Sequence, residues 1–210
     1  MAVVVSIAGS AGLGLLSNVF TMAVGRPTPN NLGLAIVVLL VNLVLMVVAL
    51  TASVLFLVWI HHAATNVRTF GHQGLAFEPS WCVAWWFIPV ASLWKPYQAM
   101  REVWQASDPE GVHAGSPGTW MTRPAPGTLL AWWLVYMGGG FVVMGGSIGQ
   151  ALANLQHGDP AGANVIIVVG QLFSVAAAVL VIGLVRRIDA NQLASWEKVS
   201  GGAQPAVSPY

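Results

Sequence analysis

From Leu32 to Ile60 the chain carries no charged side chain, and Asn42 is its only amide. Few folds can accommodate such a run, because about 20 apolar residues in a helix suffice to cross the hydrocarbon core of a bilayer. As a helix this run would be roughly 43 Å long, more than a core of about 30 Å. It therefore tilts or projects from the membrane. The pattern continues through HHAATNVRTFG, which favours projection, with Gly71 as the C-terminal stop.

Three further segments reach spanning length, at about residues 2–24, 128–155 and 163–185. Composition agrees with a membrane class. The chain is 56% hydrophobic and 7% charged, whereas a soluble domain carries about a quarter charged residues. The first segment is expected to be a retained helix and not a signal peptide, since the first basic residue is Arg26 and the apolar run is too long for a signal core. Small residues mark packing faces in the last two spans. Gly145, Gly149 and Ala153 form one stripe, and Gly170, Ser174 and Ala178 form a matching one. The short connection QHGDPAGA makes these spans an antiparallel hairpin, and Arg186 with Arg187 reads as the interface stop of the second. The expectation is a single membrane domain over 1–188 and a cytoplasmic tail over 189–210, disordered in its last ten residues.

Basic residues set the orientation. With four spans, Arg26 stands alone on one side. Arg68, Lys95, Arg101, Arg123, Arg186, Arg187 and Lys198 share the other. Both termini are expected to be cytoplasmic, in the inner membrane of a bacterium.

Between the second and third spans lies Phe77 to Ser107, with five of the ten tryptophans. Trp81 to Trp94 is apolar on every side but, broken by Pro89, reaches only about 21 Å as a helix. That is too short to cross, so it is re-entrant or lies flat at the interface. Proline suits a first helical turn, and Pro96 opens a second piece. At about 100° per residue, Pro96, Tyr97, Met100, Val103 and Trp104 share one face. Gln98, Arg101, Glu102 and Gln105 share the other. Trp81, Trp85, Trp86, Trp94, Lys95, Tyr97, Met100, Arg101 and Trp104 are the candidate contacts to lipid or a partner, since Trp and Tyr favour the headgroup level.

WIHHAATNVRTFG followed by FEPSWCVAWWFIPVASLWKPYQAMREVWQAS resembles a bacterial membrane-protein family known only as a domain of unknown function, the one numbered four-three-two-eight. The Trp-x-x-x-Trp-Trp-Phe-x-Pro spacing and the Trp-Lys-Pro-Tyr-Gln-Ala-Met-Arg-Glu-x-Trp run carry the likeness, which extends over about Leu32 to Asn191. The resemblance implies a four-helix membrane protein and transfers no activity. Where such proteins often show basic residues after the second span, this chain has His61 and His62.

No catalytic or cofactor pattern stands out. Adjacent His61 and His62 point about 100° apart on a helix and cannot share a haem face. The other histidines, His72, His113 and His157, fall in loops. Cys82 is alone and reads as a small buried hydrophobe. The spans hold no ionisable residue of the kind coupled transporters use. Asn42, Gln150, Asn154 and Gln171 remain able to bond across helices or line a small pore. Glu78, Arg101, Glu102 and Asp108 read as loop-proximal ion pairs, and a net charge of +1 argues against nucleic acid. The expectation is an all-α integral membrane protein of four spans with a Trp-rich interfacial or re-entrant element. It binds lipid and other membrane proteins, or itself, as an accessory or scaffold subunit without a cofactor or metal. A small transporter or channel is the alternative, and a lipid-modifying enzyme ranks below both.

Overall fold

The computed structural model describes residues 32–111 and 119–201. The expected first span and the end of the tail lie outside the described residues. Helices α1 (Leu32–Thr69), α2 (Pro79–Ala84), α3 (Lys95–Ala106), α4 (Gly127–Leu155) and α5 (Ala161–Gly201) follow in order. Short 3-10 turns stand at Ala91–Leu93 and Thr119–Thr122. Helices α1, α4 and α5 are long and apolar enough to cross a membrane. The described residues form two compact units, one from 32–55 and 131–182, the other from 56–111, 119–130 and 183–201.

In the first unit, α1 presents Leu39, Leu40, Val41, Leu43, Met46 and Ala49 outward around its whole circumference. A helix apolar on every side belongs in lipid or against other apolar segments. The hairpin of α4 and α5 turns on a C-terminal cap. Gly158 N–H donates to Ala153 at 2.8 Å and His157 N–H to Asn154 at 3.3 Å, with His157 itself at φ +53°. This pair of bonds closes a helix end through a left-handed residue. Asp159 then accepts from Ala161 N–H at 2.9 Å and starts α5.

The two helices of the hairpin meet through glycine. A Cβ on Gly170 would lie 2.8 Å from Val143 N, and one on Gly146 would lie 3.0 Å from Ile167 N. Gly139 is equally confined, with Gly170 O at 3.2 Å and Ser174 N at 3.5 Å. The expected stripe needs a correction at its first member. Gly145 has nothing within 4 Å of a Cβ, while Gly149 meets Ala163 at an ordinary 3.5 Å. The true line runs through Gly139, Gly146, Gly149 and Ala153, so Gly145 sits about 100° off it. Gln150 also crosses the hairpin, donating to Asn164 at 2.6 Å.

The second unit holds the end of α5. Arg186 and Arg187 do not stop the helix, which continues unbroken to Gly201. Ile188, Gln192 and Ser195 in that extension are buried. Likewise α1 continues past Ile60 to Thr69, where Gly71 takes φ +81°. Two helices thus carry their polar ends into one packed module with the Trp-rich element.

Gly170→Leu should separate the hairpin and lower the detergent melting temperature, because backbone atoms block the new side chain. Overpacking costs about 1–3 kcal/mol. Gly145→Leu should leave the melt unchanged, so equal effects at the two positions would refute this register.

Candidate functional site

The module is built on parallel ends of α1 and α5. Trp59 Nε1 donates to Asp189 Oδ1 at 2.9 Å, and Asn66 Nδ2 donates to Gln192 Oε1 at 2.9 Å. Residue numbers rise together along both helices, so the two run in the same sense. Gln192 Nε2 also donates to Ala63 O at 3.0 Å and to Ser107 Oγ at 3.1 Å. Ser195 Oγ donates to Ser107 O at 3.1 Å, and Lys198 to Pro109 O at 3.0 Å. These bonds hold the C-terminal end of α3 against both long helices. Beyond them, Val67, Phe70, Ala106 and Trp120 form a small core.

Helix α3 departs from its expected two faces. Met100 and Val103 are buried, but so are Glu102 and Gln105, which the helical wheel puts on the polar side. Glu102 accepts from Ala76 N–H at 2.8 Å and from Phe77 N–H at 3.0 Å. Gln105 Nε2 donates to Arg123 O at 2.5 Å and to Met121 O at 3.4 Å. Loops therefore cover the polar side of α3, and these two residues satisfy the backbone groups that the loops bring with them. Gln98 and Arg101 remain exposed, and Tyr97 and Trp104 are half-buried. Arg68 completes the loop anchor by donating to Phe77 O at 2.9 Å. The expected cluster of Glu78, Arg101, Glu102 and Asp108 is replaced by Arg123, which pairs with Glu110 at 2.8 Å and Asp108 at 3.7 Å.

The aromatic signature packs around Lys95. Its Nζ lies 5.3 Å from the Phe77 ring centre and 5.5 Å from that of Trp85, within cation–π range. Trp81 lies against Trp85 at 4.8 Å, and Trp86 meets Phe56 of α1 edge-on at 5.5 Å. The Trp85 indole N–H is buried with no acceptor among the described residues. Between α2 and α3 the chain reverses at Pro89 and Val90. Ala91 N–H donates to Pro89 O at 2.6 Å, and Val90 takes φ +63°, ψ −58°. That is a γ-turn of the strained type. It turns outward Phe87, 70% exposed, and Val90, 66% exposed, with Ile88, Leu93, Trp94 and Trp81 also open.

Burial sets the titration of three groups. It holds the Glu102 carboxyl above its ordinary range, against the opposing pull of the Phe77 and Ala76 N–H bonds and of Arg68. The Cys82 thiol, 1% exposed, is pushed up to about 12, by burial first and then by the Glu102 charge. Burial lowers the His72 imidazole below 6.5, opposed by its hydrogen bond to Ala106 O at 2.9 Å.

The remaining polar candidates are dispersed. Asn42 Nδ2 donates to Val38 O of its own helix at 2.8 Å. Gln171 Oε1 is buried without a donor among the described residues. His61 and His62 are exposed, with ring planes at 80°, and among the described residues no three potential metal ligands converge. Sequence reasoning missed Gln192, Ser195 and Ser107. A signal was present, since Gln192 and Ser195 fall on the same helical stripe as the apolar Val181, Leu184, Val185 and Ile188.

Among known proteins, residues 32–190 match the family described as Domain of unknown function (DUF4328), the family that the tryptophan signature resembles. No curated protein and no solved structure matches the chain.

Two outcomes follow for the module. Glu102→Gln sets an amide donor against one of two backbone donors, which should cost about 1–3 kcal/mol. Maleimide capture of Cys82 reads this out, rising about tenfold for each 1.4 kcal/mol lost. An unchanged rate would show that the Ala76–Phe77 anchor is dispensable. For His72 the folded state binds its proton less readily than the unfolded chain does. Its contribution is therefore complete above pH 6.5 and is lost as pH falls toward the lower folded value. Thermal melts between neutral and mildly acidic pH should fall more steeply for the wild type than for His72→Gln.

Proposed function

Since the chain belongs to the DUF4328 family, whose description names no activity, we propose from the geometry that it is a non-catalytic accessory or scaffold subunit of a membrane. It engages other membrane proteins and lipid through the Trp-rich element. One observation carries this reading: a module whose Glu102, Gln105, Gln192 and Ser195 bond internally leaves three large apolar side chains, Trp81, Phe87 and Trp94, outside. Buried polar groups tied to their own backbone build rigidity and are not presented to a substrate. Exposed aromatics on a rigid base offer binding area at low entropic cost, as in interface hot spots.

The setting that suits this role is a bacterial inner membrane, with four spans and both termini in the cytoplasm. Support comes from the shared exit direction of α1 and α5 and from the seven basic residues assigned to that side. The transport alternative has less behind it. Gln150 and Asn164 bond to each other, and Asn42 bonds to its own helix.

Native mass spectrometry of the protein released in native nanodiscs should find a defined protein partner. Trp81→Ala should remove it, since truncating a hot-spot aromatic costs about 2 kcal/mol or more. A bare chain carrying only lipid would sink the accessory reading.

A further inference from the structure

We infer that the reversal between Phe87 and Trp94 is embedded in lipid, at the level where acyl chains meet headgroups, on the side of the membrane to which α1 and α5 extend. This rests on the membrane reading above and names which part of the Trp-rich element meets lipid.

Three observations converge. The first is depth. Trp86, the residue before the reversal, packs edge-on against Phe56 at 5.5 Å. Phe56 belongs to the apolar run of α1, which ends at Ile60 before His61 and His62. A turn further along, Trp59 bonds to the charged Asp189. The reversal thus begins on the apolar side of the boundary where these helices turn polar.

The second is the surface. No charged residue occurs between Glu78 and Lys95. Phe87, Ile88, Val90 and Leu93 are all exposed. A docking site for a protein carries a polar rim around its apolar centre, and this turn has no charged residue to supply one. Lys95, which closes the segment, keeps its ammonium over the Phe77 and Trp85 rings.

The third is the backbone. Trp85, Trp86, Phe87, Ala91, Ser92, Leu93 and Trp94 donate their N–H groups to carbonyls within the segment, and Pro89 has none to donate. Only the N–H groups of Ile88 and Val90 lack an acceptor among the described residues. A mostly satisfied backbone suits an apolar layer, and two amides left for water or headgroups put the turn at its boundary and not at its centre.

The test uses the full chain with Cys82→Ala and one nitroxide-labelled cysteine at a time, in phosphatidylcholine–phosphatidylglycerol nanodiscs. Ile88→Cys and Val90→Cys report the turn, Leu43→Cys in α1 the hydrocarbon, and Gln98→Cys on α3 the water. Near-ultraviolet circular dichroism matching the wild type selects folded variants, and Ile88→Cys reports alone if Val90→Cys fails. Oxygen should relax the labels at 88 and 90 severalfold more than a water-soluble nickel chelate does, as at 43, with the order reversed at 98. Stronger relaxation by nickel at 88 and 90 would place the turn in water and overturn the inference. Shielding from both reagents would mean a protein covers the turn, which also overturns it while leaving the accessory reading intact. Lipid exposure at 88 and 90 in a chain that brings down no partner would do the converse.

Discussion

The carboxamide of Gln192 ties together the parts that give this module its shape. Its nitrogen reaches Ala63 O on α1 and the Ser107 hydroxyl at the end of α3, while its oxygen takes the Asn66 amide. A buried amide offers two donors and two acceptor sites, and three of these four are filled by three different residues. Any slide of one helix past another would strand a buried polar group, and each stranded group costs about 1–3 kcal/mol. Hydrophobic contacts alone tolerate sliding, because they have no direction. The register of α1, α3 and α5 is therefore fixed by hydrogen bonds, with Val67, Ala106 and Ile188 filling the space between.

The two units solve opposite problems. Where α4 and α5 pack in the apolar unit, both surfaces are apolar, and in a bilayer neither would gain much from leaving lipid; contact is made by close approach at Gly139, Gly146 and Gly170. In the module, loops rich in backbone groups return over α3, and something must receive them. Glu102 and Gln105 do so, one accepting N–H groups and the other donating to carbonyls. Helices α1 and α5 pass through both regimes, which is why each is far longer than a bilayer requires.

These regimes differ in how plainly the sequence announces them. The long helices were legible because hydropathy over twenty or more residues has no competing explanation. The hairpin was legible from its short polar connection. Helix ends were less so: Arg186 and Arg187 end an apolar run, and a helix crosses such a change of composition without breaking. A helical wheel assumes one covered face, so it put Glu102 and Gln105 in solvent; the covering loops are distant in sequence and invisible to periodicity. The glycine stripe was off by one residue at Gly145, because the four-residue spacing drifts away from the contact line that Gly139 and Gly146 keep. Gln192 and Ser195 continue an apolar stripe as polar residues, a pattern that spacing alone does not separate from a solvated tail.

Energies also bear on the depth at which the turn at Val90 can sit. A β-branched residue at positive φ costs about 1–3 kcal/mol, and the turn it makes closes the Ala91 N–H onto Pro89 O. The N–H groups of Ile88 and Val90 have no acceptor among the described residues, and in hydrocarbon each would cost several kcal/mol. Water or a headgroup removes that cost. Pro89 takes away one donor at the apex, and no charge stands between Glu78 and Lys95. An uncharged apolar turn with two amides still to satisfy suits the edge of an apolar layer better than its centre or open water.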